Sequence, residues 1–134
     1  MVALESSVLA QGLPIPANRQ AAERMVGAVE EAGAVAAVTA VVAGVPAAGI
    51  TDDEMVRFLA RDGVAKVSAR DLAPAIARGG DGATTVAATL VIARLAGIEV
   101  FAVIEHRALF DQDLELEHRR IDLGGDRLRL PQVG

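Results

Sequence analysis

Lys66 is the sole lysine in the chain; the other twelve basic residues are arginine. A lysine can hold a phosphate as a compact point charge, or be tuned by burial into an amine nucleophile, and arginine cannot do the second. A plain surface lysine is the alternative, because lysine is mostly exposed. Lys66 lies in Val64-Ala65-Lys66-Val67-Ser68, an apolar stretch between Gly63 and a helix-capping serine. That setting reads as the carboxyl end of a strand, where open α/β sheets place ligands. Glu5 follows the apolar run Val2-Ala3-Leu4 and precedes Ser6-Ser7. A carboxyl at a strand end in apolar surroundings keeps its proton more readily and is a candidate general acid. A loop carboxylate capping a turn is the other reading.

The third chemical segment is Gly79-Gly80-Asp81-Gly82-Ala83-Thr84-Thr85. It reads as a glycine-rich turn running straight into a helix, whose first N–H groups, with the Thr84 and Thr85 hydroxyls, make an anion site suited to phosphate. The spacing is neither that of a Walker A loop nor that of a dinucleotide fingerprint. A simple turn accounts for the same glycines. Further on, Asp111, Asp113, Glu115, Glu117 and His118 supply metal-ligand chemistry in principle. Alternation spreads the four carboxylates along one strand face over about 20 Å, too far for one ion. They read as a solvated face. His106 and His118 have no spaced partners, so no zinc site is expected.

Elements must bring these residues together. Val2–Leu4, Ala34–Val42, Val64–Val67 and Ile98–Ala102 read as buried strands, with a further short strand ending near Ile50. Ser6–Pro16 reads as a loop broken by Gly12, Pro14 and Pro16. Asn18 is the expected N-cap of a helix to about Ala32, with Gly33 after it. Thr51-Asp-Asp-Glu54 matches a capping box for a helix to about Arg61. Ser68, with Asp71 three residues on, opens another helix, which Pro74 is expected to kink. A last helix runs from Thr84 or Thr85 through Leu95. The alternation predicts a layered α/β/α domain with a mainly parallel central sheet. From Val103 the chain turns highly charged, and Gly124-Gly125-Asp126 suits a hairpin turn. The expected division is residues 1–102 as the α/β region and 103–134 as a charged β-rich tail.

The core is built of Ala, Val and Leu, with three Phe and neither Trp nor Tyr. A net charge of −5 argues against nucleic acid and anionic membranes as partners. No apolar run is long enough to span a bilayer, and the first residues lack signal-peptide order. Without cysteine, disulfides and thiolate metal sites are excluded, which is compatible with a cytoplasmic location.

Three segments become specific when taken together. They are Val2-Ala-Leu-Glu5-Ser-Ser with Gly12-Leu-Pro14-Ile-Pro16, Ala65-Lys66-Val67-Ser68-Ala-Arg70-Asp71-Leu72, and Gly82-Ala-Thr84-Thr85-Val86-Ala-Ala-Thr89. In order and spacing they resemble the pseudouridine-5′-phosphate glycosidase, or indigoidine synthase A-like, family over residues 2–102. The resemblance implies reversible cleavage of the C–C glycosidic bond of pseudouridine 5′-phosphate to uracil and ribose 5-phosphate. It implies manganese as cofactor, a sugar phosphate or nucleotide as small-molecule partner, and a homo-oligomer, a trimer in the family. Glu5 matches the family's general acid, Lys66 its substrate- or phosphate-contacting lysine, and Val86 a substrate-contacting position.

The family route is thought to form an imine between a lysine and C1′ of the opened ribose, which is amine-nucleophile catalysis. In the family a glycine-rich segment ending in histidine follows, then a metal-binding aspartate and the imine-forming lysine. Here Val103-Ile-Glu-His106-Arg stands instead, and no lysine follows Lys66. The expectation is therefore a shortened family member with impaired or no activity. A non-catalytic sugar-phosphate-binding or oligomerisation module is the alternative.

Overall fold

The structure, a computed structural model, describes residues 1–103. The alternating strand at 110–117, the hairpin at 124–130, His106 and His118 lie outside the described residues. Strands are β1 (Val2–Leu4), β2 (Ala36–Val42), β3 (Val45–Ala48), β4 (Val64–Val67), β5 (Asp81–Thr84) and β6 (Val100–Ala102). Helices are α1 (Ala17–Glu31), α2 (Asp52–Ala60), α3 (Leu72–Arg78) and α4 (Val86–Leu95). A π-helical turn covers Val8–Gly12 and a 3₁₀ turn covers Ala69–Asp71.

The expected layered α/β architecture is present, and its sheet is mixed. Three ladders are parallel, β1 with β2, β1 with β6, and β4 with β5. The other two, β2 with β3 and β2 with β5, are antiparallel. On one face Leu4 and Val38 pack with Leu9, Met25 and Leu59 from the π-turn, α1 and α2. Ala40 and Ala83 meet Ala10 and Phe58 on that face. On the other face Val41 and Val67 pack against Leu72, Ala88 and Ile92 from α3 and α4. With so little aromatic area, the core depends on small residues that let backbones approach closely.

Several local expectations need correction. Asn18 is not a cap: α1 begins at Ala17 behind Pro16. Its side chain is buried, and Nδ2 donates to Leu9 O at 3.2 Å and Leu59 O at 2.8 Å, tying the π-turn, α1 and α2 together. The segment read as a loop holds the π-turn, because Val8, Leu9 and Ala10 are all buried and draw the backbone inward. Pro74 does not kink α3, since it sits in the first turn, where its missing N–H has no helical acceptor to lose. The glycine-rich segment does not run directly into a helix: Gly79 ends α3 at φ +70°, and Asp81–Thr84 forms β5 before α4 starts. The capping box of Thr51 and Glu54 is formed as expected, with Glu54 N–H to Thr51 Oγ1 at 3.2 Å and Thr51 N–H to Glu54 Oε2 at 2.7 Å.

Candidate functional site where three strand ends meet

β2 changes neighbours halfway along. Ala36–Val38 pair with β1, and Ala40 and Val41 pair with β5. β1 runs parallel to β2 and β5 antiparallel, so their carboxyl ends point at each other. They meet beside Thr39, where Ser6 N–H donates to Thr84 O at 3.3 Å. β3 also pairs with Ala40 and Val41, so it must hold the other edge of β2. β4 lies parallel to β5, with Lys66 opposite Ala83 and Val67 opposite Thr84. Three strand carboxyl ends therefore converge on one place, the kind of topological junction where open α/β sheets bind ligands.

A buried hydroxyl cluster fixes this junction. Ser6, Thr39, Thr84 and Thr89 are all enclosed. Each hydroxyl has one proton, and one assignment that fits the distances uses all four; in another, Thr39 Oγ1 donates to Thr89 Oγ1 at 2.9 Å instead of to Leu4 O. Ser6 Oγ and Thr84 Oγ1 donate to Thr39 O at 2.7 and 2.8 Å. Thr39 Oγ1 donates to Leu4 O at 3.1 Å, and Thr89 Oγ1 to Thr84 Oγ1 at 3.1 Å. Thr84 N–H donates back to Ser6 Oγ at 2.8 Å. Nothing in this cluster is left over for a ligand. Its work is to lock the end of β1 to the end of β5, and thereby Glu5 to the start of α4. Sequence reasoning missed Ser6, Thr39 and Thr89 as functional positions. It also placed the Thr84 hydroxyl on phosphate, whereas the structure commits that hydroxyl to the cluster.

Glu5 follows β1 directly and is half-buried; its Oε2 accepts from Ser7 Oγ at 3.1 Å. Thr85 precedes α4 with extended backbone, and its N–H donates to Val67 O at 2.9 Å. The Thr85 Oγ1 atom is enclosed, makes no cap bond and has no hydrogen-bond partner. Val86 is exposed at the first position of α4, where leading N–H groups lack helical acceptors. Lys66 is exposed and lies one residue before Val67, on the neighbouring strand about 4.8 Å away. By alternation its side chain leaves the face opposite Val67, which is the face that Ala83 shares with Phe58. Backbone placement thus brings Glu5, Thr85 and Val86 to one rim, at the junction of β1 and β5. Lys66 leaves the sheet on the α2 face, opposite α4, which counts against one phosphate shared between the two.

Beyond the rim, Ser68 N–H and Oγ both donate to Asp71 Oδ2. Those two bonds, with Arg70 and Arg78 adding attraction, hold the Asp71 carboxyl below the ordinary aspartate range. This closes the turn that carries the chain away from Lys66. A groove of about 390 Å³ between α1 and α2, floored by Ala22, Val26 and Leu59, lies away from the strand ends. Among the described residues no three His, Cys, Asp or Glu side chains group to hold a metal ion. They therefore offer no ligand set for the manganese that the resemblance implies. No described helix is long and apolar enough to cross a membrane.

The mixed sheet, its flanking helices and the meeting of strand ends at Thr39 define an α/β layered domain. Residues 1–104 match the family described as indigoidine synthase A like protein, and the chain belongs to that family. A pseudouridine-5′-phosphate glycosidase of Gemmatimonas aurantiaca is 54% identical over 121 residues, which is 87% of this chain and 40% of the relative. One of Rhodospirillum centenum is 52% identical, over 76% of this chain and 32% of the relative. Among solved structures, the indigoidine synthase A-like protein of Thermotoga maritima superposes with TM-score 0.70 at 32% identity, over 76% of this chain and 35% of that one. The prealnumycin C-glycosynthase AlnA, in complex with ribulose 5-phosphate, gives TM-score 0.63 at 44% identity, over 77% and 33%. The chain spans about two-fifths, or less, of the length of these relatives.

Proposed function

We propose that this chain carries the acid and phosphate side of a pseudouridine-5′-phosphate glycosidase site and binds ribose 5-phosphate or a closely related sugar phosphate. The observation that carries the reading is the meeting of β1 and β5 at Thr39, which sets Glu5 beside the start of α4. Lys66 supplies a cation to the phosphate by reaching round the end of β4, since its side chain leaves the sheet on the face opposite α4. The first N–H groups of α4, at Val86 and beyond, supply donors with the dipole in the favourable sense. Thr85 Oγ1, enclosed and without a hydrogen-bond partner, adds a further hydrogen bond if its side chain turns toward the rim. Glu5 is the proton donor toward the base carbon, and Ser7 Oγ orients its carboxyl.

Cleavage requires more than protonation, because a carbon leaving group departs only when C1′ is made electrophilic. A second amine besides a phosphate-bound Lys66 would be needed, and the sequence holds no other lysine. The reading is therefore a sugar-phosphate-binding part of a glycosidase site, with little or no turnover by itself. The relatives' names and the sugar phosphate seen with AlnA support the substrate class. The same face of the molecule would serve a manganese-dependent, trimeric enzyme if the remaining residues of such a site were supplied. Isothermal titration with ribose 5-phosphate, with and without manganese, tests the reading. Binding to the wild type, weakened about tenfold by Lys66→Ala, is expected; that is the lower end for one hydrogen bond to a charged group at an exposed position. Equal titrations for the two proteins would leave Lys66 an ordinary surface residue.

A further inference from the structure

The groove between α1 and α2 lies away from the strand ends and has no part in the sugar-phosphate reading. One stripe of each helix forms it. On α1 the stripe runs from Arg19 to Glu30 in steps of three and four residues, over about 16 Å of helix. On α2 it runs from Asp52 to Leu59 at the same spacing. Two such ridges side by side leave a slot that a third helix can fill with a ridge of its own. The apolar lining is only partly covered by the chain itself. Val26 and Met55 are half-buried, and Val56 is exposed to 48%.

Charge says what fits there. Glu23, Glu30 and Asp52 stand on the rim against one cation, Arg19. Among the described residues none of the three carboxylates is ion-paired. Asp52 suits the first turn of α2, where the helix dipole favours an anion. Glu30 stands in the last turn of α1, where the dipole disfavours one, so helix stability does not account for it. Glu23 and Glu30 are two turns apart, about 10 Å along the slot. Gly27 lies between them, inside a helix, where glycine is weaker than alanine. A Cβ at Gly27 would meet nothing within 4 Å, so packing inside the chain does not call for glycine. Close approach of a backbone from outside the chain does. We propose that this slot is a docking site for a basic amphipathic helix of a partner protein. Apolar anchors of that helix at i, i+3, i+4 and i+7 lie over Val26, Met55 and Val56. Its arginines or lysines meet Glu23 and Glu30, and its backbone crosses α1 at Gly27. A helix with acidic flanks meets like charge on the rim and is rejected. The inference goes beyond the sugar-phosphate reading and does not depend on it.

The test uses the full chain and a phage-displayed library of helical peptides. Apolar residues are fixed at the anchor positions, and the flanking positions are randomised among charged and neutral residues. Selection is made on the wild type, with Gly27→Leu as the counter-target. That substitution fills the slot where a side chain has room, and it strengthens the helix, so the variant stays folded by circular dichroism. Enrichment of arginine and lysine over aspartate and glutamate at the flanks is expected. The enriched peptide, made synthetically, should bind the wild type in fluorescence anisotropy and weaken in high salt. Its affinity should fall at least tenfold with Gly27→Leu and with Glu23→Lys/Glu30→Lys. Val56→Arg, an exposed position on the opposite wall, gives a second block should Gly27→Leu lose its fold. Three results would each overturn the proposal: no enriched peptide, enrichment of acidic or neutral flanks, or a basic peptide that binds Gly27→Leu and Val56→Arg as tightly as the wild type. The last would assign binding to the chain's overall negative charge rather than to the slot.

Discussion

Thr39 is the residue on which the arrangement turns. It sits where β2 exchanges β1 for β5, and its carbonyl and hydroxyl between them hold Leu4, Ser6 and Thr84. Thr39→Val keeps the shape and removes one buried hydroxyl, leaving Leu4 O without that donor. The expected cost is about 1–3 kcal/mol of stability in a urea titration, with a further loss of ribose 5-phosphate affinity if the strand ends separate. Unchanged stability together with unchanged affinity would show that the two strand ends are held by their backbone bonds alone. Glu5 and Lys66 stand out in the sequence because their types are rare in apolar strand surroundings, and the structure shows the strands β1 and β4 that carry them there. The hydroxyls were not, since a threonine in a strand is first of all a good β-former. Thr84 was singled out for a phosphate, and its hydroxyl is enclosed and bonded to Thr39 O. A run of N–H groups after glycines looks the same on paper whether a strand or a turn precedes the helix.

At the scale of elements, β5 shows what pattern reading lacks. Asp81-Gly82-Ala83-Thr84 contains residues depleted in strands, and period and propensity both speak against it. It is a strand because of its neighbours. A Cβ added at Gly82 would stand 2.5 Å from Val67 Cγ2 and 3.5 Å from Val41 Cβ. Val67 is buried and branched and cannot swing away. Gly82→Ala should therefore destabilise by about 1–3 kcal/mol, as overpacking does, and move the start of α4. Thermal unfolding matching the wild type would mean that the two strands can part without loss. The capped helices and the strands β1, β2, β4 and β6, by contrast, were readable, because caps and continuous apolar runs are local signals. Asn18 looked like a cap by type but serves as a tether, which only its contacts with Leu9 and Leu59 reveal.

The turn after β4 gives a pH test at the same scale. Hydrogen bonds from Ser68 hold the Asp71 carboxyl below its ordinary range in the folded chain. A group with a lowered folded pKa stabilises above its unfolded value, and that contribution is lost as pH falls through the folded one. Asp71→Asn should therefore lower the melting temperature near neutrality. The gap from wild type should shrink as pH drops from about 5 through the aspartate range and below it. A gap that stays constant with pH would assign the effect to shape rather than charge. Because Asp71 is well exposed, the shift should be small and should weaken in salt.

For the whole molecule the question is how much of a catalytic cycle one part of a fold can run. The described residues hold an acid after β1, a cation on β4 and a helix start after β5, in a chain of the indigoidine synthase A-like family. On the proposed reading, protonation by Glu5 alone leaves the C–C bond intact, because the bonding pair departs with the base carbon only when an amine at C1′ can stabilise the electron deficiency left there. Among side chains, Lys66 is the only amine able to create that centre, and the amino terminus is the only other amine. A Lys66 that holds phosphate is charged, and a charged ammonium is no nucleophile. Incubated with pseudouridine 5′-phosphate and manganese, the chain is therefore expected to release uracil no faster than a protein-free control. Turnover in the ordinary range of roughly 1–10³ per second would sink this prediction. Borohydride reduction would then name the amine: a trapped adduct lost in Lys66→Arg assigns the imine to Lys66, and with it the phosphate to the start of α4 alone.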